Sequence, residues 1–472
     1  MTAMTESTEI QVAIGKPVQH PFDSWTGRQA DDSRINAMRG IWAILEFTAV
    51  LATLTSCIFF WRFHTFYAPD SPTYVIPAAN MLTGHGFINS AGFPETNRTP
   101  GYPLLILPFL WAHLDLKYLI IFQHLLRALI VLATTAFAFR VTGSRRATLL
   151  TGILLCLDIP LLESANSILT EIFFTVTLVV ILWLLWIESG KVERPGTYCF
   201  AAGLLSGASA LIRPVNLLFF LPAAAYLLLV RGSFRWRSAL VFVLAFPCLP
   251  LMWATRNYYE TGYFTVSSIS GASMLLYRAA GVLAINDPGE FGADLEKRQT
   301  QLEIQACKDI RRIYGKDCSQ VTIPQKSEYY SRLGRAIILA HPVAYAKVVL
   351  RGDAVMILGG GLARLRETTG ISSRAGMILL LIYTFPIFCF AIMGLLTLWN
   401  KNRQLFMLVF SVSLYFAAIC GGAETYSRFR VPVMPLYAFS AAIGLDSSLK
   451  RLIEGFSFDG DHTQRPQGAE VQ

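Results

Sequence analysis

Charge is scarce in this chain. Asp, Glu, Lys and Arg supply only 15% of its 472 residues, against about 25% in an ordinary soluble domain, and that deficit excludes a standard water-soluble enzyme. Histidine is scarce as well, and the seven present show no zinc-like spacing. The opening segment lacks the charged start, short apolar stretch and small-residue cleavage site of a secretory signal, so the first apolar span is expected to stay in the mature protein. No internal repeat of the kind that marks transporters is visible. The run Gly359-Gly360-Gly361 has neither a strand before it nor a Lys-Ser/Thr after it, so it is no phosphate loop and reads as a flexible break.

Apolar residues are what the chain has in plenty: 54% are hydrophobic and 12% aromatic. Windows long enough, at ~1.5 Å per residue, to cross a ~30 Å hydrocarbon core recur almost throughout. The fold class this predicts is an all-α polytopic membrane protein. The spans are expected near Gly40 to Trp61, Tyr118 to Phe139, Ala147 to Pro160 (interrupted by Asp158), Ile168 to Ile187, Gly196 to Ile212, Pro214 to Val230, Ser238 to Thr255, Ala375 to Trp399, Leu405 to Gly422 and Val431 to Leu445. That is about ten, within a range of about nine to thirteen, and an even count puts both termini on one side.

Sidedness follows from the basic residues. Lys16, Arg28, Arg34 and Arg39 in the leading tail, then Arg140, Arg145 and Arg146, Lys191 and Arg194, Arg231, Arg235 and Arg237, and Lys401 and Arg403 fall in connections that alternate onto one face. The positive-inside rule makes that face cytoplasmic. The formal balance of 40 basic against 31 acidic residues, +9, therefore reports cytoplasmic loops, and no nucleic-acid partner is expected. The expected organisation is a disordered cytoplasmic tail (1–39), an N-terminal transmembrane module (40–255) with a first outer loop (62–117), an outer loop and cap (256–374), C-terminal transmembrane helices (375–445) and a cytoplasmic tail (446–472). Pro103 to Leu114 and His341 to Leu362 are apolar but short or interrupted, and are expected as outer-face helices at the membrane surface or against the bundle.

Six of the eight cysteines fall within spans as small core hydrophobes. Cys307 and Cys318 sit instead in the long outer loop, where two readings stay open: a disulfide in an oxidising compartment, or two free thiols. The nearby stretch DLEKRQTQLEIQACKDIRRIYG carries an apolar stripe through Leu295, Leu302, Ile310 and Ile313, as expected of a helix laid over a small core.

Ionisable groups close to a membrane are expensive and mark candidate sites. They are densest in the first outer loop, which carries Asp70 after the first span and Arg98 at the re-entry. Asp70 in APDSP fits the N-cap of a short helix, but capping does not account for Arg98 in NRTPGYP. Arg213, Arg256, Arg428 and Arg430 all lie at outer ends of spans. Each reads either as a guanidinium snorkelling to headgroups or as part of an anionic-ligand pocket. Their coincidence on the face opposite the positive-inside bias favours the pocket.

The run from Asp70 to Leu105, D-S-x-x-Y, A-x-x-M-L-x-G-x-G-F and R-x-P-G-Y-P-L-L, resembles the first outer loop of the GT-C membrane glycosyltransferases. Further motifs follow in the same order: TEIFF at Thr170 to Phe174, GLLSGASALIRP at Gly203 to Pro214, RNYYETG at Arg256 to Gly262 and SRFRVPVMPL at Ser427 to Leu436. The resemblance spans about Gly40 to Leu445 and is to the branch grouped with protein O-mannosyltransferases, RgtA/B/C/D-like enzymes and the lipid A aminoarabinose transferase. It implies a GT-C fold with outer-face juxtamembrane helices and a periplasmic cap, in the inner (plasma) membrane. It implies transfer of a sugar, with inversion, from a polyprenyl-phosphate donor to an acceptor hydroxyl on lipopolysaccharide or lipid A, a glycan, a lipid or a protein.

On that resemblance Asp70 is the catalytic carboxylate and Arg98 the first phosphate ligand, joined by Arg256, Arg213, Arg428 and Arg430. Tyr74, His85, Glu171 and Tyr102 are expected at the substrate. Glu171 either orients the acceptor or ligates a divalent metal. The aminoarabinose branch has a metal-binding acid directly before the basic residue of the first loop, and Asn97 stands there here, so no tightly bound cofactor is expected. Two other readings of a polar bundle are a transporter or flippase of lipid-linked glycans and an envelope-glycan ligase or polymerase. The polar residues gather at one membrane face rather than at mid-bilayer, which separates this chain from the transporter pattern.

Overall fold

The structure, a computed structural model, describes residues 28–64, 66–189, 196–229, 235–362, 366 and 370–461. Expectations that fall on residues 1–27, among them Lys16, on Lys191, Arg194 and Arg231, or on 462–472 lie outside the described residues. The chain divides into two units, Met1–Ala43 and Ile44–Gln472. Among the described residues the first holds the start of α1 (Arg28–Arg62), and the other helices belong to the second.

Among the described residues there is no β-strand, and one antiparallel bridge joins Ile88 to Pro94. Among the described residues six helices are long and apolar enough to cross a membrane: Arg39–Arg62, Lys117–Thr142, Glu171–Ser189, Arg235–Thr261, Arg374–Lys401 and Arg403–Cys420. Two bent pairs also pass together, Arg145–Cys156 with Ile159–Ala165 (54°) and Ile323–Ala340 with Pro342–Leu358 (104°). The expected spans at Gly196 to Ile212 and Pro214 to Val230 are the shorter apolar helices Thr197–Ile212 and Pro214–Leu229. This is a multi-pass membrane protein.

Local chemistry explains the breaks. Helix α4 (Lys117–Thr142) stops at Gly143, whose φ of 61° suits a residue without Cβ, and Ser144 caps α5 (Arg145–Cys156) by accepting from the Ala147 N–H. Asp158 interrupts the next span for the same reason: its carboxylate accepts from the Leu161 N–H at 2.9 Å and starts α6 (Ile159–Ala165) in a new direction. Arg127 in α4 is fully buried, and its guanidinium donates to Ala52 O (3.0 Å), Ser56 Oγ (2.7 Å), Thr55 Oγ1 (3.1 Å) and Cys156 O (2.8 Å). Its two terminal nitrogens carry these four bonds while Nε has no partner among the described residues; a buried cation needs such partners, and here it ties α1, α4 and α5.

The two C-terminal helices Ser373–Lys401 and Met434–Asp461 cross where glycines face backbone. A Cβ on Gly394 would lie 1.8 Å from Ser440 O, and one on Gly444 would lie 2.0 Å from Phe390 O. Small residues of this kind let helix backbones approach closely in a membrane.

Three sequence expectations are corrected. The 359–361 glycines are no loose break: Gly360 and Gly361 are buried, and added Cβ atoms would meet Leu380 and Ile159 at 2.6 and 2.9 Å. In the cap helix Phe291–Tyr314 the buried stripe is Leu302, Ala306 and Ile310, while Leu295 is half-buried and Ile313 lies on the exposed side. Not all six span cysteines are core residues, since Cys57 and Cys248 are exposed on the bundle's outer surface.

Replacing Gly394 by Val forces the two C-terminal helices apart. Thermal unfolding in detergent should show a loss of about 3 kcal/mol, the upper part of the overpacking range; an unchanged melting temperature would refute the close crossing.

Candidate active site

The chain leaving α1 turns back along the connection between α6 and α7 (Glu171–Ser189). Phe66 O accepts from the Ile168 N–H (2.9 Å), and Ser71 Oγ donates to Ile168 O (2.9 Å) while accepting from the Ala68 N–H (2.8 Å). These bonds seat Asp70 beside the first turn of α7, which Glu171 opens. Helix α2 (Pro72–Leu82) follows with no side-chain cap. Its first turn is held through the Asp70 carbonyl, which accepts from the Thr73 N–H (3.0 Å) and Thr73 Oγ1 (2.6 Å). The Asp70 carboxylate is therefore not spent on capping.

Arg98 reaches it from the other end of the loop. Buried Glu95 accepts from the N–H groups of Asn97 (2.6 Å) and Arg98 (3.0 Å), a tight turn that fixes the Arg98 backbone. Ser268 N–H and Ser267 Oγ hold the same turn by donating to Thr96 O (2.8 Å) and Asn97 O (2.6 Å). The acid that matters to this turn thus stands at position 95 and serves the backbone; the sequence offered no cue beyond a carboxylate three residues before Arg98.

The Arg98 guanidinium donates to Thr73 Oγ1 (2.9 Å), Tyr74 Oη (3.2 Å) and Asp70 Oδ1 (2.9 Å), and it lies 4.9 Å above the Tyr74 ring. The other carboxylate oxygen, Oδ2, accepts from Arg428 at 3.0 Å. Arg428 Nε is 3.9 Å from Glu171 Oε1, and that oxygen is 2.8 Å from Arg213 Nη1. Arg213 ends α8 (Thr197–Ile212) in extended backbone, its guanidinium 5.8 Å from both the Phe174 and Phe429 rings. Helix α3 (Gly101–Trp111) packs on this end so closely that a Cβ on Gly101 would fall 2.5 Å from Leu211 O.

Six predicted residues thus converge: Asp70, Tyr74, Arg98, Glu171, Arg213 and Arg428. Three guanidiniums face two carboxylates, which leaves one formal positive charge. Burial pushes the Asp70 carboxyl up, but the charges of Arg98 and Arg428 and the bonds they donate outweigh it, and it titrates below its ordinary value. Burial lowers Arg98 and its neighbours Tyr74 and Asp70 raise it, with a net rise, so both partners stay charged.

The other predicted residues lie elsewhere. Arg256 donates to Phe87 O (3.1 Å) and Glu95 O (3.5 Å) and stacks 5.0 Å from the Trp253 ring, bracing the 87–95 hairpin. Arg430 is buried against Asp158 and donates to Ile357 O (2.9 Å) and Gly359 O (3.0 Å). Tyr102 is buried edge-on to Tyr74 (5.2 Å) and donates to Gln123 Oε1 (2.9 Å). His85 is exposed and pairs locally with Thr83 Oγ1 (2.8 Å). Glu171, the one residue considered as a metal ligand, is engaged by two arginines, and no group of three His, Cys, Asp or Glu able to hold an ion occurs among the described residues. Cys307 and Cys318 form a disulfide, with Cα atoms 5.2 Å apart.

No protein-family model and no curated protein matches the sequence. Solved structures do. The archaeal oligosaccharyltransferase AglB from Archaeoglobus fulgidus, in complex with an inhibitory peptide and a dolichol-phosphate, is similar over 92% of this chain at 13% identity and a TM-score of 0.51. Its apo form gives 11% identity over 91% and the same TM-score. The chain spans about half the length of that protein, 52% and 53% of the two solved chains. ArnT from Cupriavidus metallidurans bound to undecaprenyl phosphate matches at 14% identity, over 86% of this chain and 78% of that one, with a TM-score of 0.39. The chain shares the fold of the matched part of that oligosaccharyltransferase to this extent, over nearly all of its own length.

Because the folded-state pKa of Asp70 is depressed, its ion pairs stabilise the protein above the ordinary carboxylate pKa of about 3.9 and are lost as pH falls through the lower folded value. The stability difference between wild type and Asp70→Asn in thermal unfolding should therefore hold constant from pH 7 to about pH 4, with the gap closing only below. A gap already closed at pH 5 contradicts the two-arginine clamp.

Proposed function

We propose that the protein is an integral membrane glycosyltransferase that moves a sugar from a polyprenyl-phosphate donor to an acceptor hydroxyl on the outer, periplasmic side of the inner membrane. The observation that carries this reading is the Asp70 carboxylate held between Arg98 and Arg428, within a cluster of net positive charge, on a GT-C fold. Support also comes from the oligosaccharyltransferase of like fold, whose structure is in complex with an inhibitory peptide and a dolichol-phosphate.

The chemistry needs a proton acceptor and a stabiliser for the leaving phosphate. An acceptor oxygen attacks the anomeric carbon on the side opposite the phosphate, and its proton passes to the Asp70 carboxylate. The bond from the anomeric carbon to the phosphate oxygen breaks with its electron pair going to that oxygen, so configuration inverts. A phosphodiester donor carries one negative charge, which matches the surplus of the cluster. The monoester left behind approaches two, since its second pKa is near 6. Arg98, Arg213 and Arg428 thus bind the product side of the barrier more tightly than the substrate, the condition for catalysis by electrostatic stabilisation.

Guanidiniums suit this task. Arg98 uses one N–H each toward Thr73, Tyr74 and Asp70, and two of its five donors remain for phosphate oxygens. Glu171 holds Arg213 and Arg428 in place at 2.8 and 3.9 Å and so acts as a positioning residue. Tyr74 does the same beneath Arg98.

Asp70→Asn should bind the donor lipid at least as tightly as wild type, since Arg98 and Arg428 lose their carboxylate partner, while kcat falls by about 10²–10⁴. Single-turnover assays with a labelled polyprenyl-phosphate sugar in nanodiscs would read both quantities, and turnover within tenfold of wild type would sink the assignment.

A further inference from the structure

The outer side of the protein holds a second feature that this chemistry leaves unused. A cavity of 500 Å³ lies between the 89–97 segment of the first loop and the cap, and its volume is that of ordinary ligand sites. One lip, from Cys318 to Pro324, is fastened by the Cys307–Cys318 disulfide. Tyr330 lines the cavity, is 2% exposed, and its hydroxyl has no hydrogen-bond partner among the described residues. Such a group is costly to leave unmet and calls for a ligand donor or acceptor. On the opposite wall the Phe93 ring is 56% exposed.

The charges lining the cavity are Glu260 and Glu303 against Lys326, and Lys326 lies 3.6 Å from Glu303. The lining is therefore net negative, the reverse of the arginine cluster. Carboxylates accept from the hydroxyls of a sugar, amides and hydroxyls both donate and accept, and an aromatic face packs against the C–H face of a sugar ring. A phosphate or carboxylate placed here meets like charge. The chain links the cavity to the arginine cluster, since Asn97 of the lining directly precedes Arg98.

We propose that this cavity seats the acceptor, and that the acceptor is an uncharged saccharide rather than a phosphorylated lipid. The inference rests on the transferase reading and narrows it.

The test is mass spectrometry of envelope lipids, glycans and proteins from cells that lack the protein or carry wild type, Asp70→Asn, Tyr330→Phe or Phe93→Ala, with membrane level and donor-lipid pool measured for each. The expected result is one Asp70-dependent sugar increment on a saccharide that bears no phosphate or carboxylate at the modified unit. Tyr330→Phe and Phe93→Ala should each cut its occupancy about tenfold at normal protein level and donor pool, the loss expected for one ligand contact. An Asp70-dependent increment on a phosphorylated lipid or a protein overturns this proposal and leaves the transferase reading standing, as does full occupancy in both cavity variants. Absence of any Asp70-dependent increment overturns both.

Discussion

One carboxylate between two guanidiniums holds this end of the bundle together. Asp70 and Arg98 come from opposite ends of the first loop, and Arg428 comes from a turn 358 residues away, so the clamp gathers the loop, α7 and the C-terminal helices around one point. Taking such charges out of water is expensive, and the attraction repays it only where geometry and further hydrogen bonds are good. Here each oxygen of Asp70 has its own guanidinium, and Glu171 serves Arg213 and Arg428 in turn. Three guanidiniums against two carboxylates leave the cluster with one surplus positive charge, and the proposed function rests on that surplus.

Arginine plays both roles in this bundle, and the two can be told apart by what the guanidinium faces. Arg127 and Arg430 spend their donors on backbone carbonyls and buried partners. Arg98 and Arg428 face a carboxylate that is still a third exposed. Arg428 and Arg430 stand two residues apart in the short 3-10 helix Ser427–Val433. With about three residues per turn, their side chains leave on different sides, one toward Asp70 and the other toward Asp158.

That is why the sequence carried some of this site and not the rest. Hydrophobic length made the six strongest spans readable, and the resemblance carried by the motifs around Asp70, Arg98, Glu171, Arg213 and Arg428 pointed to five charged residues that the fold brings to the same neighbourhood. An arginine at the outer end of a span looks alike whether it meets a ligand or a carbonyl, so Arg256 and Arg430 could not be separated from the others before the fold was known. Glu95 and Arg127 escaped notice because their partners are largely main-chain atoms, which carry no residue signature. The buried stripe of the cap helix used Ala306 in place of Ile313, since packing there is set by the close approach of Leu275, Ala279 and Ala280 rather than by residue hydrophobicity.

On the proposed reading Arg98 and Arg428, unlike the other arginines Arg256 and Arg430 at the outer ends of spans, form a lipid-phosphate site. Native mass spectrometry of the detergent-solubilised protein titrated with polyprenyl monophosphate tests that claim most directly. One bound lipid per chain is expected, with affinity lower by about tenfold or more in Arg98→Gln and in Arg428→Gln, a loss proper to a charge-assisted bond, and unchanged affinity in Arg256→Gln. Equal affinities across the three variants, or weakening only in Arg256→Gln, would contradict it.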